Sequence, residues 1–226
     1  MPTRWGNSVA VLTGDFLFAR ASQILAGLHE DNATSSQPKT LARLVNGQWK
    51  ETAGPRRGED PLAHYLGVVM DKTASLTAMA GQFGGMFSGA SAEIAVRITR
   101  ACEAWGVAFQ LSDDILDVAS GSAQSGKTPG TDLREGILTL PVLHALRSAR
   151  PPDTRLLQLL SSGELADPAL HAEALALLRA HPAMEMARAD ARRWAGIARN
   201  EILALPDVPA RSALEALCEF VVERSG

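Results

Sequence analysis

The chain has only two cysteines, Cys102 and Cys218, each inside an apolar helical pattern. That scarcity excludes a disulfide framework and predicts buried thiols in a reduced compartment. Alternating β-branched runs are also missing, so no sheet is expected. Lysine and arginine are scattered and the net charge is −3, which leaves no basic face for nucleic acid. No basic-then-apolar leader precedes a small-residue cleavage site, and a cytoplasmic location is expected. The most apolar early stretch, Val9 to Leu28, is interrupted by Asp15 and Arg20. It makes a poor membrane span and reads as a core or interface helix. There is no internal repeat and no low-complexity tract.

What the chain has is helix. Apolar residues recur at three- and four-residue spacing over 5–31, 36–48, 61–83, 91–119, 134–149, 153–161, 165–180, 183–204 and 208–224. Breaks are expected at Gly54-Pro55, Gly58 to Pro61, Gly121 to Gly130, Pro151-Pro152, His181-Pro182 and Pro206 to Pro209. Asp153, Asp167 and Asp207 follow or precede such breaks and are candidate N-caps. These features predict a single all-α domain over residues 1–226.

One segment carries most of the chemistry. In Phe109-Gln110-Leu111-Ser112-Asp113-Asp114-Ile115-Leu116-Asp117, the residues Gln110, Asp113, Asp114 and Asp117 fall on one helical stripe. Their apolar surroundings predict a buried helix, where like charges need a positive partner. Hard cations such as Mg²⁺ suit such carboxylates. An acidic helix end in water, close to Ser120-Gly121, is the other reading of the same residues.

Other constellations stand beside it. Gly121-Ser122-Ala123-Gln124-Ser125-Gly126-Lys127-Thr128 spells a P-loop. A P-loop needs a preceding strand and a helix starting at its Lys-Thr, whereas here a helix precedes and Pro129 follows. Lys127 is therefore read as a loop lysine carried near the acidic helix. Tyr65, Val68, Val69 and Lys72 share a face, so Lys72 ends an apolar stripe. It serves either a phosphate, together with Thr73, or a neighbouring carboxylate. Thr131 or Asp132 is expected to cap the next helix, Asp132 could equally join a metal site, and Gly136 and Pro141 make the helical start irregular. Arg56-Arg57-Gly58 lies in a Pro/Gly-rich linker and reads as solvated, as do Glu164, Asp167 and Glu173. The five histidines show no metal-ligand spacing.

In order along the chain, Trp5 to Asp15, Gly47-Gln48, Lys72-Thr73-Ala74-Ser75-Leu76, Phe109 to Asp117, Gly126 to Leu133 and Thr139-Leu140-Pro141 resemble the motifs of trans-isoprenyl (polyprenyl) diphosphate synthases. The resemblance implies a bundle of antiparallel helices around a central cavity, forming a homodimer. It implies a prenyltransferase that ionises an allylic diphosphate with Mg²⁺ and condenses it with isopentenyl diphosphate. Asp113, Asp114 and Asp117 match the second aspartate-rich motif as metal ligands. Lys72, Thr73, Gln110 and Lys127 match allylic-diphosphate contacts, with Lys72, Asp113 and Lys127 as the catalytic candidates. Gln48 matches a cavity-lining glutamine. The helix of Val9 to Leu28 matches one at the dimer interface.

Two departures stand out. Ile137 occupies a position where the family usually has lysine. The first aspartate-rich motif is absent, and Met1-Pro2-Thr3 looks like the tail of the sequence that follows it. The N-terminal helices are accordingly expected to be missing and the chain to have little or no synthase activity alone. The alternative is a non-catalytic diphosphate-binding or regulatory subunit of a hetero-oligomeric prenyl diphosphate synthase. A terpene cyclase is disfavoured by the Lys72 and Lys127 motifs, and an ATPase by the P-loop context.

Overall fold

The computed structural model describes residues 5–28, 31–119, 129–148 and 151–224, with side chains at 31 and 32 excepted. No strand occurs among the described residues. The chain divides into two compact units, Met1–Arg43 and Leu44–Gly226.

The first unit holds helix α1 (Asn7–Ala26) and the start of α2 (Asp31–Ala53), which continues into the second. None of the residues of α1 is buried. Val11, Leu12, Phe16 and Leu17 are all exposed, so the expectation of a core helix is corrected. Its apolar residues lie all round rather than on one stripe, which leaves no polar face to turn outward. By length and composition alone it is the one described helix long and apolar enough to cross a membrane, which by itself is weak evidence against the poor span expected.

The second unit is built on α5 (Ala92–Ala119). Before it come α3 (Pro61–Val69), a π-helical segment Met70–Ala74 and α4 (Ser75–Phe87). After it come α6 (Thr131–Arg134), α7 (Leu140–Ser148), α8 (Thr154–Ser162), α9 (Pro168–Ala180), α10 (Ala183–Leu203) and α11 (Pro209–Glu223). Helices α4 and α10 make the most extensive contacts with α5. The reason lies in side-chain size. Ala187, Ala191, Ala195, Ala198 and Ile202 form the buried face of α10, and Ala101, Ala104 and Ala108 lie buried on α5. Small residues at three- and four-residue spacing let helix axes approach closely. On the α4 side, a Cβ on Gly106 would overlap Thr77 Oγ1 and lie 2.9 Å from Ala74 Cα. Only glycine permits that crossing. Leu111 and Ile115 are fully buried beneath it, each contributing about 1.5–3 kcal/mol of transfer free energy.

The caps follow the sequence in part. Asp167 accepts from the Ala169 and Leu170 backbone N–H groups, and Asp60 caps α3 ahead of Pro61. Asp153 makes no cap bond; its carboxylate lies 3.1 Å from His181 Nε2 in a buried pair. Asp207 is displaced from the cap position by Val208 and instead accepts from Arg211 at 2.7 Å. The expected helix 134–149 is two pieces, because Gly136 has φ +74° and Leu140-Pro141 restarts the chain. Cys102 is half-buried and Cys218 buried, both as free thiols. Burial raises both, Cys218 to about 11.

Candidate active site

A cleft of about 520 Å³ lies within the second unit, bounded by the end of α2, α3, the π segment, α5, residues 136–139 and α7. Tyr65, Val68, Val69 and Lys72 all line it, as their shared face predicted. A π turn inserts one residue into the i→i−4 ladder and re-aims the side chains that follow. Here that turn carries Lys72 and Thr73.

A chain of hydrogen bonds crosses the floor. Thr73 Oγ1 donates to Gln110 Oε1 at 3.0 Å, and Gln110 Nε2 donates to Asp114 Oδ1 at 3.0 Å. Tyr65 Oη donates to Asp114 Oδ2 at 2.5 Å. Burial pushes the Asp114 carboxyl up to about 6, against the bonds from Tyr65 and Gln110 that favour its charge. Burial, reinforced by the Asp114 charge, pushes the Tyr65 hydroxyl well above its ordinary range. Lys72 Nζ meets Glu51 Oε2 at 2.6 Å, which realises the carboxylate alternative while keeping the ammonium on the cleft wall.

The acidic stripe does not act as one set. Asp114 turns into the floor, whereas Asp113 receives Arg224 Nη2 on Oδ1 at 2.6 Å. Asp117 accepts from the backbone N–H groups of Thr131 and Asp132, each at 3.2 Å. The expected caps of α6 are thereby corrected. The cap position is Gly130 in the left-handed conformation, and a carboxylate from α5 satisfies the free N–H groups. Among the described residues no group of three or more His, Cys, Asp and Glu gathers for a metal. Gln48 is exposed, off the cleft lining, and donates to Glu51 Oε2 at 2.8 Å. Lys127 lies outside the described residues, as do all eight positions of the P-loop-like string. Asp132 and Ile137 line the cleft. Arg56 and Arg57 are exposed, as read.

Residues 1–180 match the family model described as Polyprenyl synthetase. The chain belongs to that family. It is 48% identical over 223 residues to a nonaprenyl diphosphate synthase of Mycobacterium tuberculosis, covering 99% of this chain and 66% of that protein. It is 40% identical over 220 residues to a dimethylallyltranstransferase of the same organism, covering 97% and 66% respectively. The chain thus spans just under two thirds of both curated relatives. A crystal structure of a geranylgeranyl pyrophosphate synthase from Corynebacterium glutamicum, complexed with calcium and isoprenyl diphosphate, superposes with TM-score 0.87 at 40% identity. That match covers 99% of this chain and 69% of the other. The all-α polyprenyl synthetase fold is therefore the fold of this chain.

Three participants were invisible in the sequence. Glu51 takes the charge of Lys72, Arg224 takes that of Asp113, and Asp71 anchors the π segment by accepting from Lys50 Nζ at 2.8 Å and Asn46 Nδ2 at 3.2 Å. Tyr65 lies on the face its spacing predicts, and its bond to Asp114 has no local signal in the sequence. Gly47 completes the anchor, since a Cβ there would stand 2.8 Å from Lys72 N and 2.9 Å from Asp71 Cβ. Gly47→Ala is expected to push the π turn off α2, costing about 1–3 kcal/mol as overpacking does. Thermal melts measure that cost, and a melting temperature equal to wild type would contradict the close approach.

Proposed function

We propose that the cleft binds the diphosphate of an allylic prenyl diphosphate, and that the protein extends this substrate with isopentenyl diphosphate. The observation that carries the reading is Lys72 on the wall of a cleft whose floor is the Thr73–Gln110–Asp114–Tyr65 chain. Lys72 supplies a point charge and Thr73 a hydroxyl to phosphate oxygens. Gln110, held at both ends, keeps that hydroxyl in place. Val68, Val69 and Leu143 give the cleft apolar wall that excludes water from a reactive prenyl cation. Lys127 is assigned to the same diphosphate through its motif, and Gln48 to the rim through Glu51.

The cofactor is Mg²⁺. Such ions are held by one or two carboxylates together with substrate phosphates, and Asp113, Asp114 and Asp117 are the carboxylates of this motif. Asp114 lines the cleft, and Asp113 and Asp117 are the half-buried carboxylates of the same motif. When bound, the ion neutralises charge that develops on the departing diphosphate. Residues 1–226 belong to one catalytic domain in this reading, in a cytoplasmic enzyme. The apolar α1, exposed along its length, serves a homodimer interface.

Calorimetric titration of geranyl diphosphate into the protein tests the reading. Binding is expected to require Mg²⁺ and to be lost on chelation, with geraniol binding far more weakly. Equal binding of geraniol would contradict a diphosphate site.

A further inference from the structure

We propose that Arg224, at the end of α11, is a positioning residue for the acidic helix: it holds Asp113 Oδ1 and leaves Oδ2 to a divalent cation. The proposal rests on the metal role assigned to Asp113 above.

Arg224 spans three positions on one face of α5. Its Nε donates to Ser112 Oγ at 2.9 Å, and Nη2 donates to the Phe109 carbonyl at 2.9 Å and to Asp113 Oδ1 at 2.6 Å. The guanidinium carbon lies 4.1 Å from the Phe109 ring centroid. Ser112, Phe109 and the ring hold the guanidinium without help from Asp113. A cation arriving at Asp113 therefore has no need to expel it. The base of α11 is equally fixed, with Val221 fully buried near Ala108 and Ala195, and Trp105 Nε1 bonded to the Leu217 carbonyl at 3.1 Å.

Asp113 has no other hydrogen bond among the described residues, and its side chain is 45% exposed. One oxygen is fixed, and the other has no hydrogen bond among the described residues. Hydrogen bonds that fix a ligating carboxylate are worth about 10- to 100-fold in metal affinity. Charges at exposed sites couple weakly because water surrounds them, and with Asp113 45% and Arg224 18% exposed the guanidinium opposes an incoming cation only modestly. Orientation therefore outweighs repulsion, and removing Arg224 weakens the site.

Mn²⁺ binding to the whole chain in the presence of inorganic diphosphate, followed by electron paramagnetic resonance, reads this directly. Arg224→Ala is expected to weaken Mn²⁺ binding by about tenfold or more. Arg224→Lys should fall between, because an ammonium reaches Asp113 without bridging Ser112 and Phe109. In an Asp113→Asn background, Arg224→Ala should change nothing, whereas a merely structural role would lower affinity in both backgrounds. Unchanged or tighter binding in Arg224→Ala, with wild type binding normally, overturns this proposal alone. If Arg224→Ala does not fold, Arg224→Lys decides by the same comparison. Absence of Mn²⁺ binding in wild type overturns the metal assignment and this proposal together.

Discussion

Lys72→Ala is expected to lower affinity for geranyl diphosphate by about 10- to 100-fold in the presence of Mg²⁺, with little change in stability. The two effects separate because Lys72 has two different partners. Its bond to Glu51 is an exposed ion pair, 39% and 33% accessible, and such pairs are worth about 0–1 kcal/mol. A charged hydrogen bond to a diphosphate held against an apolar wall is worth about 1.5–3 kcal/mol. The substitution also leaves Glu51 uncompensated at the cleft wall, where it repels the ligand. Glu51→Gln should act in the opposite sense, because Lys72 is then released to the diphosphate. Calorimetry on both variants, beside thermal melts, checks the pair. Equal affinity in Lys72→Ala would move the diphosphate elsewhere in the molecule.

The second large effect is a pH dependence at Asp114. Its folded carboxyl titrates at about 6 rather than 3.8, so between these values the native state holds a proton that the unfolded chain releases. Stability contributed by this group is therefore present in full below about pH 4 and is lost as the pH rises to about 6. At about 1.4 kcal/mol for each pH unit, the loss by pH 7 is about 3 kcal/mol. Asp114→Asn cannot ionise and escapes that loss. Its stability minus that of wild type is expected to grow by about 3 kcal/mol between pH 4 and pH 7, or roughly 6–12 °C in melting temperature. The exposed carboxylates of Glu59, Glu173 and Glu185 shift the other way and cancel in this comparison, because both proteins carry them. Parallel stability profiles for the two proteins would show that Asp114 ionises without cost.

The same residue shows where reading the sequence succeeds and where it stops. Helix positions were legible because apolar spacing reports burial directly. In the stretch 183–204, Ala187, Ala191 and Ala195 recur at four-residue spacing and are buried on α10. The grouping of Gln110 with Asp113, Asp114 and Asp117 was legible too, since an amide and three carboxylates at i, i+3, i+4 and i+7 share one side of a helix. Their directions were not. Asp114 is claimed by Tyr65, 49 residues earlier, and Asp113 by Arg224, 111 residues later. Neither partner carries a local signal. The π segment was hidden for a related reason. Met70–Ala74 keeps the apolar rhythm of its neighbours, and it is held by contacts from α2, with Asn46 and Lys50 on Asp71 and the Gly47 backbone beside it. For α1 only the core alternative fails, because hydropathy measures a preference for burial and none of its residues is buried in the chain itself.

A crystal structure with Mg²⁺ and a thio-linked geranyl diphosphate, in which the departing oxygen is replaced by sulfur, addresses the central assignment most directly. The account predicts diphosphate oxygens within hydrogen-bonding distance of Lys72 Nζ and Thr73 Oγ1, with the prenyl chain against Val68, Val69 and Leu143. A diphosphate seated on Arg56 and Arg57, or a ligand whose diphosphate faces away from Lys72, would contradict it.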